Sequence, residues 1–523
     1  MKKKCVSVYT AVFLCFSFLK VIIAQQLETI NYNSFTSDIK LADNSLLVGI
    51  SLNLNHEIIN ASFDSVTQYI TVQTNFDNKQ LLLSVYDLAE KKLLWSLIVQ
   101  KAKYQIISLE KFIILTSENK TICYKKENGL EIWTGKRELL YVNQKNEIAF
   151  TYYSHFDKSN PSKLLEAIRL SDGKKIWTRN IDRYFGWNEI ININDSTIML
   201  SASGLHTINI KNGKGWDFDA LTGEERISSS IPYTFNVFGT VLTSLFSFAG
   251  AGLAYTIYYF SHTSKLYWDL CSNVLIQGDV IYFASKQSLS ALDFNGKIIW
   301  QKKLEKSMTG NSLLLIEDSL ILMVNKGYAS MGKKKVYYGT PYLAGFNKIN
   351  GINYYLKHIN LEENAISDIH MMNKHFILLQ KDKIGVYSIL NGEFINREKI
   401  PELKLQLNSA FINGKNFITK DYASSSISMK TDSILYIYIH ENGIIGIDQN
   451  LIEIDRFDFQ TLLFKSQVSD NLLFFENSDE VIIFDFNFIQ KGRIKLKNKA
   501  VYNGNNLMFY EKNTLRILNL NIL

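Results

Sequence analysis

The stretch AIRLSDGKKIW, residues 167–177, has the pattern of a β-hairpin that ends in a tryptophan. Its turn contains Asp172-Gly173, a dipeptide that accepts the positive φ angles of tight hairpin turns. The same pattern recurs as CYKKENGLEIW at 123–133 and as ALDFNGKIIW at 291–300. Repetition of one hairpin within a chain predicts a repeat architecture made of β-sheets.

The repeat has a period near 40 residues. Clear copies also occur at 85–95 and 207–216, and weaker copies bring the total to ten. The first four terminal tryptophans are 38, 44 and 39 residues apart, and two further strands fit before each hairpin. This spacing predicts a single all-β propeller of four-stranded blades, about eight in number. Because an open ring would expose two sheet edges, we expect the region after residue 26 to supply a strand to the last blade.

The repeated residues also indicate a family. They are Trp95, Trp133, Trp177, Trp216 and Trp300, with the turn glycines Gly129, Gly173, Gly213 and Gly296. A small residue, an Asp or Asn, Gly-Lys and then Trp resembles the PQQ-like propeller repeat over roughly residues 65–400. That family includes the quinoprotein dehydrogenases and non-enzymatic propellers such as the lipoprotein of the outer-membrane β-barrel assembly machinery. The resemblance implies that each Trp packs between neighbouring blades and over a turn glycine.

The sequence lacks the features that the resemblance associates with catalysis. The enzymatic members hold a quinone and calcium beneath an adjacent Cys-Cys pair, whereas Cys123 and Cys271 are far apart here. We therefore predict no catalytic residue, no cofactor and no metal site. The acidic segment DFDALTGEE at 217–225 could bind calcium, but it lacks the EF-hand spacing and is better interpreted as a solvated loop.

The N-terminus predicts export. Lys2, Lys3 and Lys4 precede an apolar run that ends near Ala24, which is typical of a signal peptide over residues 1–24. An uncleaved anchor is the alternative. The propeller would then occupy residues 27–523. Without the signal segment the basic and acidic residues nearly balance, and no nucleic-acid motif is present, so we exclude a nucleic-acid partner.

An uncharged segment interrupts the repeat. Trp216 and Trp300 are 84 residues apart, about two periods, and FNVFGTVLTSLFSFAGAGLAYTIYYF fills 235–260. We predict an apolar, helical insert over 230–264. A single membrane crossing there would separate the two halves of the propeller, so three alternatives remain: a plug on the propeller, contact with a membrane, or contact with a partner. The candidate contact residues are Phe238, Leu242, Leu245, Phe246, Phe248, Leu253, Tyr255 and Tyr258.

Together these features favour an exported, non-enzymatic propeller that acts as a binding or assembly scaffold for a protein partner at the cell envelope. Its location would be periplasmic, associated with the outer membrane, or secreted. One alternative is a quinoprotein-like or other enzyme whose site lies in the central channel. Another is a carbohydrate- or peptide-binding module.

Overall fold

A computed structural model describes most of the repeat region. The described residues are 31–40, 45–64, 67–102, 104–117, 120–153, 164–181, 187–202, 204–218, 254–256, 267–268, 271–285, 288–304, 312–325, 328–331, 334–337, 340–359, 368–372, 374–380, 383–399, 411–413, 416–418, 428–430, 435–439, 443–448, 450–457, 465–469, 472–476, 480–485, 489–495, 500–503 and 506–520. Within them the regular structure is strand throughout.

The strands of the first half form four meanders. The chain begins with β1 (Asn31–Lys40) and β2 (Leu46–Asn53). Blade 1 consists of β3 (Ile58–Asp64), β4 (Tyr69–Asn75), β5 (Gln80–Asp87) and β6 (Lys92–Gln100). Blade 2 consists of β7 (Gln105–Ser108), β8 (Phe112–Thr116), β9 (Thr121–Lys125) and β10 (Glu131–Gly135). Blade 3 consists of β11 (Arg137–Asn143), β12 (Ile148–Tyr153), β13 (Leu164–Arg169) and β14 (Lys175–Asn180). Blade 4 consists of β15 (Trp187–Asn194), β16 (Thr197–Ala202), β17 (Leu205–Asn209) and β18 (Asp217–Phe218).

Three further meanders follow two short strands, β19 (Ala254–Thr256) and β20 (Tyr267–Trp268). Blade 5 consists of β21 (Leu275–Gln277), β22 (Val280–Ala284), β23 (Ser288–Asp293) and β24 (Ile298–Lys303). Blade 6 consists of β25 (Ser312–Glu317), β26 (Leu320–Asn325), β29 (Tyr342–Asn347) and β30 (Asn353–His358), with the hairpin β27 (Tyr328–Met331) and β28 (Lys334–Tyr337) inserted. Blade 7 consists of β31 (Asp368–Met372), β32 (His375–Gln380), β33 (Lys383–Ser388) and β34 (Phe394–Lys399).

The last part of the chain adds a short hairpin and three more blades. The hairpin β35 (Phe411–Asn413) and β36 (Asn416–Ile418) comes first. Blade 8 consists of β37 (Ser428–Lys430), β38 (Leu435–Ile439), β39 (Gly443–Ile447) and β40 (Glu453–Phe457). Blade 9 consists of β41 (Lys465–Ser469), β42 (Leu472–Glu476), β43 (Glu480–Asp485) and β44 (Gln490–Lys495). Blade 10 combines β45 (Ala500–Asn503), β46 (Asn506–Glu511) and β47 (Thr514–Asn519) with β2.

The all-β prediction with four-stranded, propeller-type blades is confirmed. Each blade is a row of four hydrogen-bonded strands, and blade 6 places β29 beside β26 across its inserted hairpin. The described residues contain ten such meanders, one for each hairpin copy in the sequence and two more than the estimate of about eight. The estimate was low because it treated the weaker copies as extra hairpins, whereas the structure places each of them in a four-strand meander.

The chain divides into two compact units. One comprises Met1–Leu139, Arg169–Lys174 and Lys465–Leu523, and the other comprises Leu140–Ile168 and Lys175–Phe464. In the first unit, β2 pairs with β47, so an N-terminal strand completes the last blade, as the sequence predicts. The hydroxyl group of Thr514 donates a 2.8 Å hydrogen bond to the Asn53 side chain across this pair.

The core of the blades lies on their middle strands. All five residues of β8 and all six of β26 are buried, whereas β24, a fourth strand, has no buried residue. First strands of successive blades lie against each other, as β3 does with β7 and β21 with β25. In each unit, two neighbouring blades therefore meet at their first strands.

The long interval between Trp216 and Trp300 spans one blade and an insertion. Trp216 of blade 4 contacts Gly296 of blade 5 directly, so these blades are consecutive despite the 84-residue spacing. The helical prediction is wrong for 254–256, which is a strand because its backbone pairs with β11. Residues 219–253 and 257–266 lie outside the described residues, and so does the predicted signal peptide. No helix in the described part of the chain is long and apolar enough to span a membrane.

Candidate functional site

The repeated tryptophans connect one blade to the next. Trp95 of blade 1 is 1% exposed, and its Nε1 donates a 2.6 Å hydrogen bond to the carbonyl oxygen of Lys126 in blade 2. Its ring covers Gly129, whose φ is +70° and where an added Cβ would lie 2.6 Å from the indole. Glycine is required there, because a side chain would meet both an unfavourable backbone conformation and the ring. The repeated residues thus form a contact between blades.

The same contact recurs in both units. In the first unit Trp133 lies against Gly173 and donates to the carbonyl of Leu170 at 2.7 Å. In the second unit the pairs are Trp177 with Gly213, Trp216 with Gly296 and Trp300 with Gly351. Their indole donors reach the carbonyls of Ile210, Phe294 and Lys348 at 3.0, 2.8 and 3.0 Å.

A tyrosine takes the same place after blade 6. Tyr355 lies against Gly392 of blade 7, and its hydroxyl group donates a 2.7 Å hydrogen bond to the carbonyl of Ile389. The sequence pattern missed this residue because the search was for a tryptophan. Its signal is the Asn-Gly turn at 391–392, which stands at the same spacing as the other turns.

One of these contacts contains a buried ion pair. The Lys126 ammonium, only 2% exposed, donates to the carboxylate of Asp64 at 2.6 Å and to the hydroxyl of Thr67 at 3.0 Å. It also lies 5.1 Å from the centre of the Tyr69 ring. Burial lowers the pKa of Lys126, and Asp64 opposes that effect. The pair joins the turn of blade 2 to the β3–β4 turn of blade 1 and has a structural role.

A second charged cluster lies in blades 3 and 4. Arg179 donates to the carbonyl oxygens of Thr207 and Trp216 and to the carboxylate of Asp217. Asp217 Oδ1 lies 2.6 Å from Nδ1 of His206. Burial opposes ionisation of Asp217, but His206 and Arg179 outweigh it and hold its pKa below the usual value. The first carboxylate of the acidic segment is therefore engaged in an ion pair, while Asp219, Glu224 and Glu225 lie outside the described residues.

The cysteines have no reactive environment. Cys123 and Cys271 are both buried, and they are not joined in a disulfide. Burial raises the pKa of Cys123 and raises that of Cys271 to about 12, which suppresses the thiolate form. Within the described ranges, no group of three or more His, Cys, Asp or Glu side chains is placed to hold a metal ion.

Two short strands extend the first-strand edges of blades 3 and 4. β19 pairs antiparallel with β11, where Tyr255 stands opposite Val142, and β20 pairs in parallel with β15, where Trp268 stands opposite Trp187. β20 also pairs with β27, so the inserted hairpin of blade 6 joins the same sheet. Of the candidate contact residues only Tyr255 lies in a described strand. Phe238, Leu242, Leu245, Phe246, Phe248, Leu253 and Tyr258 lie outside the described residues, so the three alternatives for the apolar segment remain.

The hairpin turns of blades 2, 3 and 4 are mostly polar at their tips. Two positions before the turn glycine these blades have Glu127, Ser171 and Lys211, and all three are exposed. One position after the glycine, blades 3 and 4 have the exposed residues Lys174 and Lys214. A blade therefore folds without an apolar side chain at either position.

Both positions are apolar in blade 6, and the first of them is apolar in blade 7, where Glu393 follows the turn glycine. Ile349 and Leu390 stand two positions before the turn glycine and are 73% and 65% exposed, and Ile352 follows the glycine of blade 6 with 57% exposure. Exposure removes the packing reason for an apolar residue. Blades 3 and 4 have polar or charged residues at both positions, and blade 2 has the exposed Leu130 at the second one. Packing within a blade therefore does not require the apolar side chains of blades 6 and 7 at these positions.

Exposed apolar residues continue along the neighbouring strands. We define the apolar tip row by blade. Blade 5 contributes Phe294, Ile298 and Ile299. Blade 6 contributes Ile349, Ile352 and Tyr354. Blade 7 contributes Leu390, Phe394 and Ile395. The three blades are consecutive through the contacts of Trp300 and Tyr355, so the row runs over adjoining hairpins, and clustered exposed apolar residues of this kind mark interaction surfaces.

Comparison with known proteins gives no family. No protein-family profile and no curated protein matches the sequence. Among solved structures, BamB from Moraxella catarrhalis is 12% identical with a TM-score of 0.35, over 75% of this chain and 95% of that one. The computationally designed Ika8 protein is 9% identical with a TM-score of 0.34, over 71% of this chain and 93% of that one. A eukaryotic initiation factor is 10% identical with a TM-score of 0.36, over 84% of this chain and 98% of that one. Similarity at this level says nothing about function.

Proposed function

We propose that this chain is an exported, non-enzymatic β-propeller that acts as a binding scaffold at the cell envelope. The observation that carries the proposal is the apolar tip row, whose turn residues replace the polar residues at equivalent positions of blades 3 and 4. The repeated Trp and Gly residues support it, because they are used in contacts between blades. In this proposal the repeat supplies a rigid body, and the departures from the repeat supply the binding surface.

The location at the envelope rests on the N-terminal segment. Three lysines, an apolar run and Ala24 favour export, with a periplasmic, outer-membrane-associated or secreted product. In this proposal the tip row holds the scaffold at the envelope and leaves the rest of its surface for a protein partner. The near balance of basic and acidic residues after export agrees with such a partner.

Two triple variants test the proposal. The tip variant carries Ile349→Ser, Ile352→Ser and Leu390→Ser, which introduce the residue type that Ser171 provides in blade 3. The control variant carries Leu130→Ser, Ile276→Ser and Ile489→Ser, which are exposed apolar residues outside the row. Both change the same number of side chains and neither changes the net charge.

Cells that produce the full chain are separated into soluble and envelope fractions. We expect the wild type and the control variant in the envelope fraction and the tip variant in the soluble one, with equal urea unfolding midpoints for all three. A folded tip variant that stays with the envelope as completely as the wild type would refute the proposal.

A further inference from the structure

The surroundings of the apolar tip row identify what it contacts. We propose that the row inserts into the headgroup region of an anionic lipid bilayer. This inference rests on the proposed function and deepens it, because it names the component of the envelope that the row contacts. It concerns blades 5–7 and is independent of the uncharged segment at 235–260.

The hairpins that carry the row are strongly basic. Residues 288–303, 342–358 and 383–399 contain eight Lys and Arg residues and three Asp and Glu residues, a net charge of +5. The whole chain has a net charge of +7. Positive charge is therefore concentrated around the row, and basic clusters beside apolar residues are attracted to anionic lipids.

The lysines stand at a suitable distance along the same strands. Lys302 and Lys303 follow Ile299 in β24, and Lys357 follows Tyr354 in β30. These lysines are exposed. Three residues of a strand span about 10 Å, which is close to the depth of about 5–10 Å at which interfacial segments bury their apolar side chains. Ile299 and Tyr354 would reach the acyl boundary while the ammonium groups of these lysines remain among the phosphates.

The form of the surface favours lipid over a folded protein. The most exposed members, Ile349 and Leu390, stand at the tips of turns in two different blades. A protein interface would need a complementary pocket for each tip and a rim of mixed charge. A bilayer accepts separate projecting side chains without complementary pockets, and the net positive charge around them fits anionic headgroups.

Purified protein is mixed with phosphatidylcholine vesicles, with or without phosphatidylserine, and the sedimented fraction is measured. A charge variant, Lys302→Gln with Lys303→Gln and Lys357→Gln, is compared with a control, Lys175→Gln with Lys211→Gln and Lys214→Gln. Each lysine near an anionic surface contributes enough that three should change the affinity on the order of 100-fold. We expect the wild type and the control to bind the phosphatidylserine vesicles, and the charge and tip variants to lose most of that binding.

Three results would overturn the inference: no binding to phosphatidylserine vesicles, equal binding to both kinds of vesicle, or full binding by the tip variant. If vesicles are not bound but the tip variant still leaves the envelope in cells, the row contacts a protein; the lipid proposal then fails and the scaffold proposal stands. If the tip variant binds vesicles poorly but stays with the envelope, the scaffold proposal fails while lipid binding stands.

Discussion

Replacement of Trp95 by alanine should strongly destabilise the unit that contains blades 1 and 2. The side chain is 1% exposed, and burial of a tryptophan removes about 200 Å² from water. At about 25 cal/mol per Å² this corresponds to about 5 kcal/mol of unfolding free energy. Observed costs of replacing large aromatic residues by alanine are about 3–5 kcal/mol. We therefore expect a loss of about 4 kcal/mol for Trp95→Ala.

The assay is urea unfolding followed by far-ultraviolet circular dichroism, which does not depend on the fluorescence of the residue removed. Trp300 provides a comparison, because it makes the same contact but is only partly buried. Trp300→Ala should cost about half as much, since it removes less apolar area from the core. Equal midpoints for Trp95→Ala and the wild type would show that the indole does not hold the blades together.

A double-mutant cycle with Gly129 tests the contact itself. Gly129→Ala places a methyl group 2.6 Å from the ring at a φ of +70°. The backbone conformation alone costs about 1 kcal/mol for alanine, and the steric clash adds to it. In the Trp95→Ala background only the cost of the backbone conformation remains, so Gly129→Ala should reduce the unfolding free energy by less there than in the wild type. An identical cost in both backgrounds would contradict the packing that we describe.

Three other experiments probe the charged groups and the tyrosine. Lys126→Met should cost about 3 kcal/mol of unfolding free energy in urea, because it removes the ammonium group that balances the charge of the mostly buried Asp64 carboxylate; adding Asp64→Asn should recover most of this loss. The pKa of Asp217 is lowered in the folded protein, so its contribution is present above pH about 4 and is lost as the pH falls through the folded value. The urea unfolding midpoint of Asp217→Asn should accordingly change less between pH 6 and about 3 than that of the wild type. The same change of midpoint with pH in both proteins would refute this. Tyr355→Phe should cost about 1 kcal/mol through the loss of one hydrogen bond, and an unchanged midpoint would argue against that bond.

The sequence predicted the blade hairpins well, because turn chemistry and strand periodicity are local. Asp172-Gly173 and Trp177 are sufficient to identify a hairpin and its end. The total number of meanders was underestimated, because late copies such as 445–454 have lost both the tryptophan and the turn glycine.

The tip row could have been found from the sequence by a different comparison. Aligning IKNGK at 210–214 with KINGI at 348–352 shows lysines exchanged for isoleucines around one Asn-Gly turn. The pattern search used the residues that the copies share, whereas the candidate surface lies where they differ. The cluster of Arg179, His206 and Asp217 could not be found in this way, because its members are separated in sequence and meet only through strand pairing.

The pairing of β2 with β47 also affects how the chain is made. The partner of Asn53 is Thr514, which is translated 461 residues later. At about 5–20 residues per second, the ribosome needs between about 25 and 90 seconds to reach it. During that time β2, with its apolar residues Leu46, Val48 and Ile50, has no β47 to pair with, which is when a chaperone would be most useful to the nascent protein.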